Sequence, residues 1–135
     1  MLSARTEKPM QLHGGGHSVR AFIHIKDVVR ATLQLANEGE PGSTWHLSSL
    51  TSCSIRDLVE EVFTLTGADF NALVQTSEDR LGKDQSYLLD SACIRQMHGW
   101  TDQISLEQGL QETLSWVDAN LDILKTLPWS YQHKT

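Results

Sequence analysis

Between Val19 and Ile25 apolar and polar side chains alternate. Val19, Ala21, Ile23 and Ile25 fall on one face of an extended chain and Arg20, Phe22 and His24 on the other, the period of a half-buried strand. The period then changes: Asp27 reads as the N-cap of an amphipathic helix that carries Val28, Val29, Thr32, Leu33 and Ala36 and ends near Gly39. After a turn at residues 40–43, Thr44-Trp45-His46-Leu47 is rich in strand formers and predicts a second strand. Ser54-Ile55-Arg56-Asp57 has the form of a capping box, and Ile55, Leu58, Val59, Val62 and Phe63 follow at helical spacing until Gly67. Strands are expected at 73–76 and 87–89, separated by the polar loop 78–85. Asp90 or Ser91 then opens a short helix that stops at Gly99. A second capping box, Ser105-Leu106-Glu107-Gln108, opens the last helix, with Leu106, Leu110, Leu114, Val117, Leu121 and Leu124 on one face and Pro128 at its end. The pattern predicts an α/β chain, a small mixed fold of short strands and four amphipathic helices. It reads as a single domain over residues 1–128 with a frayed tail at 129–135.

Composition narrows the function classes. With 135 residues, 39% of them hydrophobic, the chain can enclose one modest core. A formal net charge of -6 argues against nucleic acid or an anionic membrane as partner, because both demand clustered Lys and Arg. Residues 1–10 are polar with both charge signs, unlike a signal peptide, and no uncharged apolar run approaches the roughly 20 residues of a membrane span. A soluble cytoplasmic protein is expected. Cys53 and Cys93 form no Cys-x-x-Cys pair, which fits a reducing compartment, and they are expected as buried, inert thiols. The six histidines show no zinc-ligand spacing, so no metal site is expected; His24 reads as a partly buried, hydrogen-bonded side chain. Trp45, Trp100, Trp116 and Trp129 read as core or core-edge residues.

Three segments in order carry a family resemblance. They are Gly14-Gly15-Gly16-His17-Ser18-Val19-Arg20-Ala21-Phe22-Ile23-His24-Ile25-Lys26-Asp27-Val28; Ser54-Ile55-Arg56-Asp57-Leu58-Val59; and Asp79-Arg80-Leu81-Gly82-Lys83-Asp84 with Tyr87 to Asp90 and Gly99-Trp100. Together they resemble the later, substrate-side portion of extended short-chain dehydrogenase/reductases, the NAD-dependent nucleotide-sugar epimerases and 4,6-dehydratases. Leu81 stands where the family carries proline, which loosens that loop. Cys93 and His98 stand where it carries lysine and leucine, which bears on the packing of the short helix. The resemblance implies that Arg20 and Arg80 hold the diphosphate of a nucleotide sugar. The chemistry suits them, since a guanidinium is always charged and its planar fork matches phosphate oxygens.

The same resemblance marks what is missing. Gly14-Gly15-Gly16 leads into a strand and not a helix N-terminus, so it is expected as a tight turn and not a phosphate cradle. No Gly-x-x-Gly-x-x-Gly loop for the NAD pyrophosphate is present. Neither Tyr87 nor Tyr131 has a lysine four positions on, so the family's Tyr-x-x-x-Lys acid/base pair is absent as well. The expectation is a partial epimerase or dehydratase that binds substrate diphosphate, holds no NAD and has no catalytic residue. The alternative is a stand-alone binding or interaction module that has lost the enzymatic role. In either case a homo-oligomer is expected, because Val28, Val29, Leu33, Leu35 and Ala36 spread over more than one stripe of their helix.

Overall fold

The computed structural model describes residues 1–79, 82 and 84–129. In chain order they form α1 (Leu2–Thr6), β1 (Met10–His13), a 3-10 turn (Gly14–Gly16), β2 (Val19–Arg20), α2 (Ile25–Glu38), β3 (Cys53–Ser54), α3 (Ile55–Thr66), α4 (Phe70–Leu73), β4 (Val74–Ser77), β5 (Ser86–Tyr87), α5 (Ala92–His98), α6 (Leu106–Ala119) and α7 (Leu121–Leu124). The four expected helices are α2, α3, α5 and α6, and the fold is the mixed α/β arrangement the pattern predicts. Short α1, α4 and α7 are additions.

Both capping boxes close as their residues dictate. The Ser54 hydroxyl accepts from Asp57 N while the Asp57 carboxylate accepts from Ser54 N, and Ser105 and Gln108 repeat the exchange at the head of α6. Gly67 and Gly99 stop α3 and α5 in the left-handed conformation. The long C-terminal helix, however, breaks at Asn120, whose side-chain amide donates to the Trp116 carbonyl and competes with the helical bond there.

Two small sheets result. β1 and β4 pair in parallel from Met10 opposite Val74 to His13 opposite Ser77. In the second sheet β2 is central, antiparallel to β3 and parallel to β5. The expected strand at 19–25 is therefore only Val19–Arg20, because β3 and β5 each offer two residues to pair with. Residues 44–47 join no ladder among the described residues. Trp45 and Leu47 instead lie against the buried cluster of Ala31, Ile94 and Trp100, with Ile23 and Leu35.

Asp27 is not the N-cap of α2. His24 takes that position, its Nδ1 accepting from Lys26 N, and Asp27 enters the first turn fully buried. One carboxylate oxygen accepts from the backbone N–H groups of Gln103 and Ile104, and the Trp100 indole donates to the Asp27 carbonyl. The other oxygen lies 2.8 Å from the Arg30 guanidinium as an ion pair, at an angle that makes no hydrogen bond. Two further expectations change. Cys93 is exposed and donates to Met97 Sδ, with Cys53 half-buried, since neither sits on an inward helical or strand position. Trp100 is buried but Trp116 is 57% exposed, because Leu114 and Val117 take the inward face of α6.

Arg95 fastens α5 to its surroundings through Ser91, the Ser48 carbonyl and Asp102, and Ser49 adds a second bond to Asp102. Burial pushes the Asp102 carboxyl up, but the bonds from Arg95 and Ser49 outweigh it and hold the group below the usual carboxylate range. A carboxyl depressed in the folded state stabilises above its unfolded value of about 3.9 and loses that contribution as pH falls through the folded value. Asp102→Asn should therefore flatten the acid limb of the stability profile below about pH 4, read by urea titration across pH. Asp27→Ala should cost about 3–5 kcal/mol in the same titration at neutral pH, as expected for breaking a buried ion pair. A loss below about 1 kcal/mol would assign the α2–α6 connection to apolar packing alone.

Candidate functional site

Arg20 lies on the central strand of the three-stranded sheet, and the turn before it fixes its place. All three glycines of Gly14–Gly16 have positive φ, at 58°, 66° and 75°. A Cβ on Gly16 would stand 2.9 Å from the Arg56 backbone nitrogen and 2.9 Å from the Leu12 side chain, and one on Gly14 would strike the Asp79 carboxylate. The turn thus needs glycine for conformation and for space. Buried Ser18 follows, its carbonyl accepting from Ile55 N, which locks the entry of β2 to the head of α3.

The Arg20 guanidinium donates to its own strand's Val19 carbonyl at 2.7 Å and to the Asp84 carbonyl at 2.9 Å. Val19 N donates in turn to the Gln85 carbonyl. Residues 84 and 85 end the loop that carries Arg80, so that loop runs directly into the strand beside Arg20. Among the described residues no carboxylate lies within ion-pair distance of Arg20. A guanidinium has five N–H donors, and two are engaged here with neutral carbonyls, so charge and donors remain for an anion. Arg80 and Lys83 lie outside the described residues.

The ladder sets Arg20 between Cys53 of β3 and Tyr87 of β5. Sequence reading did not connect these two with Arg20, because register between segments more than thirty residues apart leaves no local signal. The Cys53 thiol is pushed up by burial, and by the charges of Asp57 and Glu61, which makes it a poor nucleophile. His24 is largely buried: its Nδ1 caps α2 and its Nε2 lies 3.5 Å from Glu112, which Lys26 also contacts. A cavity of about 320 Å³ opens beside it, lined by Phe22, Ile25, Leu58, Leu106 and Leu110 among others, and Arg20 is not in its wall. Among the described residues, no group of three or more His, Cys, Asp or Glu is placed to hold a metal ion. No helix there is long and apolar enough to cross a membrane.

A family model described as GDP-mannose 4,6 dehydratase matches residues 2–113. The chain belongs to this family of extended short-chain dehydrogenase/reductases. A dTDP-glucose 4,6-dehydratase of Streptomyces griseus is 31% identical over 105 residues, 78% of this chain and 32% of that protein. The Arabidopsis thaliana protein described as a trifunctional UDP-glucose 4,6-dehydratase, UDP-4-keto-6-deoxy-D-glucose 3,5-epimerase and UDP-4-keto-L-rhamnose-reductase is 29% identical over 120 residues, 89% of this chain and 18% of its own length. The crystal structure of DesIV, a dTDP-glucose 4,6-dehydratase from Streptomyces venezuelae with NAD and TYD bound, superposes with a TM-score of 0.84 at 27% identity, covering 90% of this chain and 37% of that one. This member of the dehydratase family thus spans well under half the length of these relatives.

Proposed function

We propose that this chain is the substrate diphosphate-binding part of an NAD-dependent nucleotide-sugar dehydratase or epimerase, and that it is not catalytically competent alone. The observation that carries the reading is Arg20, held on a central strand by two backbone carbonyls with no described carboxylate within ion-pair distance, in a chain with net charge -6. An arginine so placed offers a local anion site against the overall field. The relatives named for dTDP-glucose and UDP-glucose chemistry, and the related structure with NAD and TYD bound, supply the ligand class: a nucleoside diphosphate carrying a sugar. Arg80 belongs to the same site on the family motif, from the loop whose end already reaches Arg20. The chain would hold its ligand weakly, and it supplies neither the NAD loop nor the Tyr-x-x-x-Lys pair. Its free thiols are in keeping with a cytoplasmic setting.

Calorimetric titration with UDP or dTDP tests this. Arg20→Ala and Arg80→Ala should each remove about 1.5–3 kcal/mol of binding, the worth of a charge-assisted hydrogen bond. Undiminished binding by both variants would take the two arginines out of the site.

A second reading, a self-associating binding module, draws on one observation. Ile25, Val29, Leu33 and Ala36 form an exposed stripe along α2, with Ile25 at 66% and Leu33 at 60% exposure, while Ala31 and Leu35 face the core. A second copy of the chain would cover this stripe of a few hundred Å². Light scattering should then show mass rising with concentration, and Leu33→Glu should return the chain to monomer. A monomer throughout the high micromolar range would remove self-association from the reading.

A further inference from the structure

We infer that Tyr87 is a second donor of the Arg20 anion site, its phenol taking the phosphate next to the one that Arg20 holds. The inference rests on the diphosphate reading of Arg20 and adds to it a residue outside the arginine pair. Register carries the first step. Tyr87 pairs directly with Arg20 in the parallel β2–β5 ladder, and paired residues send their side chains to one face of a sheet from strands about 5 Å apart. Cys53 is the opposite neighbour in the same row.

Arg20 leans towards Tyr87. Its guanidinium donates to the Asp84 carbonyl, three residues before Tyr87 on the β5 side, and makes no hydrogen bond to a described residue of β3. Tyr87 is itself 58% exposed, and its hydroxyl makes no hydrogen bond with a described residue. A tyrosine of the core would bury its ring, and a structural one at a core edge would give its hydroxyl a partner. This one does neither.

The chemistry is complementary. The guanidinium fork suits two oxygens of one phosphate, and a phenol is a neutral O–H donor of defined reach on a stiff ring. Set one strand spacing away, it meets the neighbouring phosphate and not the same one. Tyr87 is therefore a binding residue that favours diphosphate over monophosphate.

The test is titration of the 135-residue chain, and of its Tyr87→Phe and Arg20→Ala variants, with UDP and with UMP, alongside thermal unfolding. Tyr87→Phe should weaken UDP about tenfold, the worth of a hydrogen bond to a charged group, and change UMP less than about twofold, with the unfolding midpoint unmoved. Arg20→Ala should weaken both ligands. Equal losses for UDP and UMP, or a lowered midpoint, would make Tyr87 structural and overturn the inference. If Arg20→Ala weakens UDP while Tyr87→Phe does not, Tyr87 leaves the site and the diphosphate reading stands. A wild-type chain that takes up no UDP would end both.

Discussion

A carboxylate removed from water must find donors in the protein, and that requirement organises this chain. Asp27 is fully buried with an ion pair to Arg30 on its own helix, and its remaining oxygen is met by the backbone of Gln103 and Ile104. Those two N–H groups come just before the Ser105 cap, so satisfying one acid fixes where α6 begins relative to α2. The Trp100 indole, bonded to the Asp27 carbonyl, brings the end of α5 to the same point. His24 then approaches Gly109 of α6 closely enough that a Cβ there would stand 3.1 Å from its ring. The segment from Arg20 to Ile25 is thereby stretched between a sheet at one end and this buried acid at the other.

What was legible in the sequence was local. Capping boxes and stop glycines announce themselves within four residues, and α3, α5 and the start of α6 stand where Ser54, Ser105, Gly67 and Gly99 place them. Asp27 misled for the same reason. Asp before an apolar run is an N-cap by local statistics, and only the arrival of residues 103 and 104 from far along the chain makes its burial tolerable. β1 was not legible because its partner, β4, lies sixty-four positions on, and the alternation of Met10 and Leu12 with Gln11 and His13 is too short to announce a strand by itself. Residues 44–47 are the converse: strand formers with no described strand to pair with.

The two stripes of α2 are covered to different extents by the residues of this chain. Ala31 and Leu35 pack on Ile94, Trp100, Trp45 and Leu47, which gives the helix one complete face from the chain's own residues. The other stripe, with the cavity that shares Ile25, stays open. A helix apolar over so wide an arc is built for burial on two sides. In relatives of which this chain covers 37% or less, further polypeptide is available to provide the second.

The candidate site follows a different logic from the core, because it is made of groups left unfinished. Arg20 was legible as a residue of the family motif, but its surroundings were not: the Asp84 carbonyl and Tyr87 come from the loop and strand that the register alone sets beside it. Its two carbonyl partners hold the guanidinium without neutralising it, since neutral acceptors orient a cation but leave its charge. A carboxylate in place of either carbonyl would have made an ion pair and removed the site. A chain with more acids than bases has many chances to place a carboxylate beside an arginine. That no described carboxylate lies within ion-pair distance of Arg20, Asp84 meeting it through its backbone carbonyl, leaves the charge available to a ligand, and the glycine turn and the Ser18–Ile55 bond hold the strand that presents it.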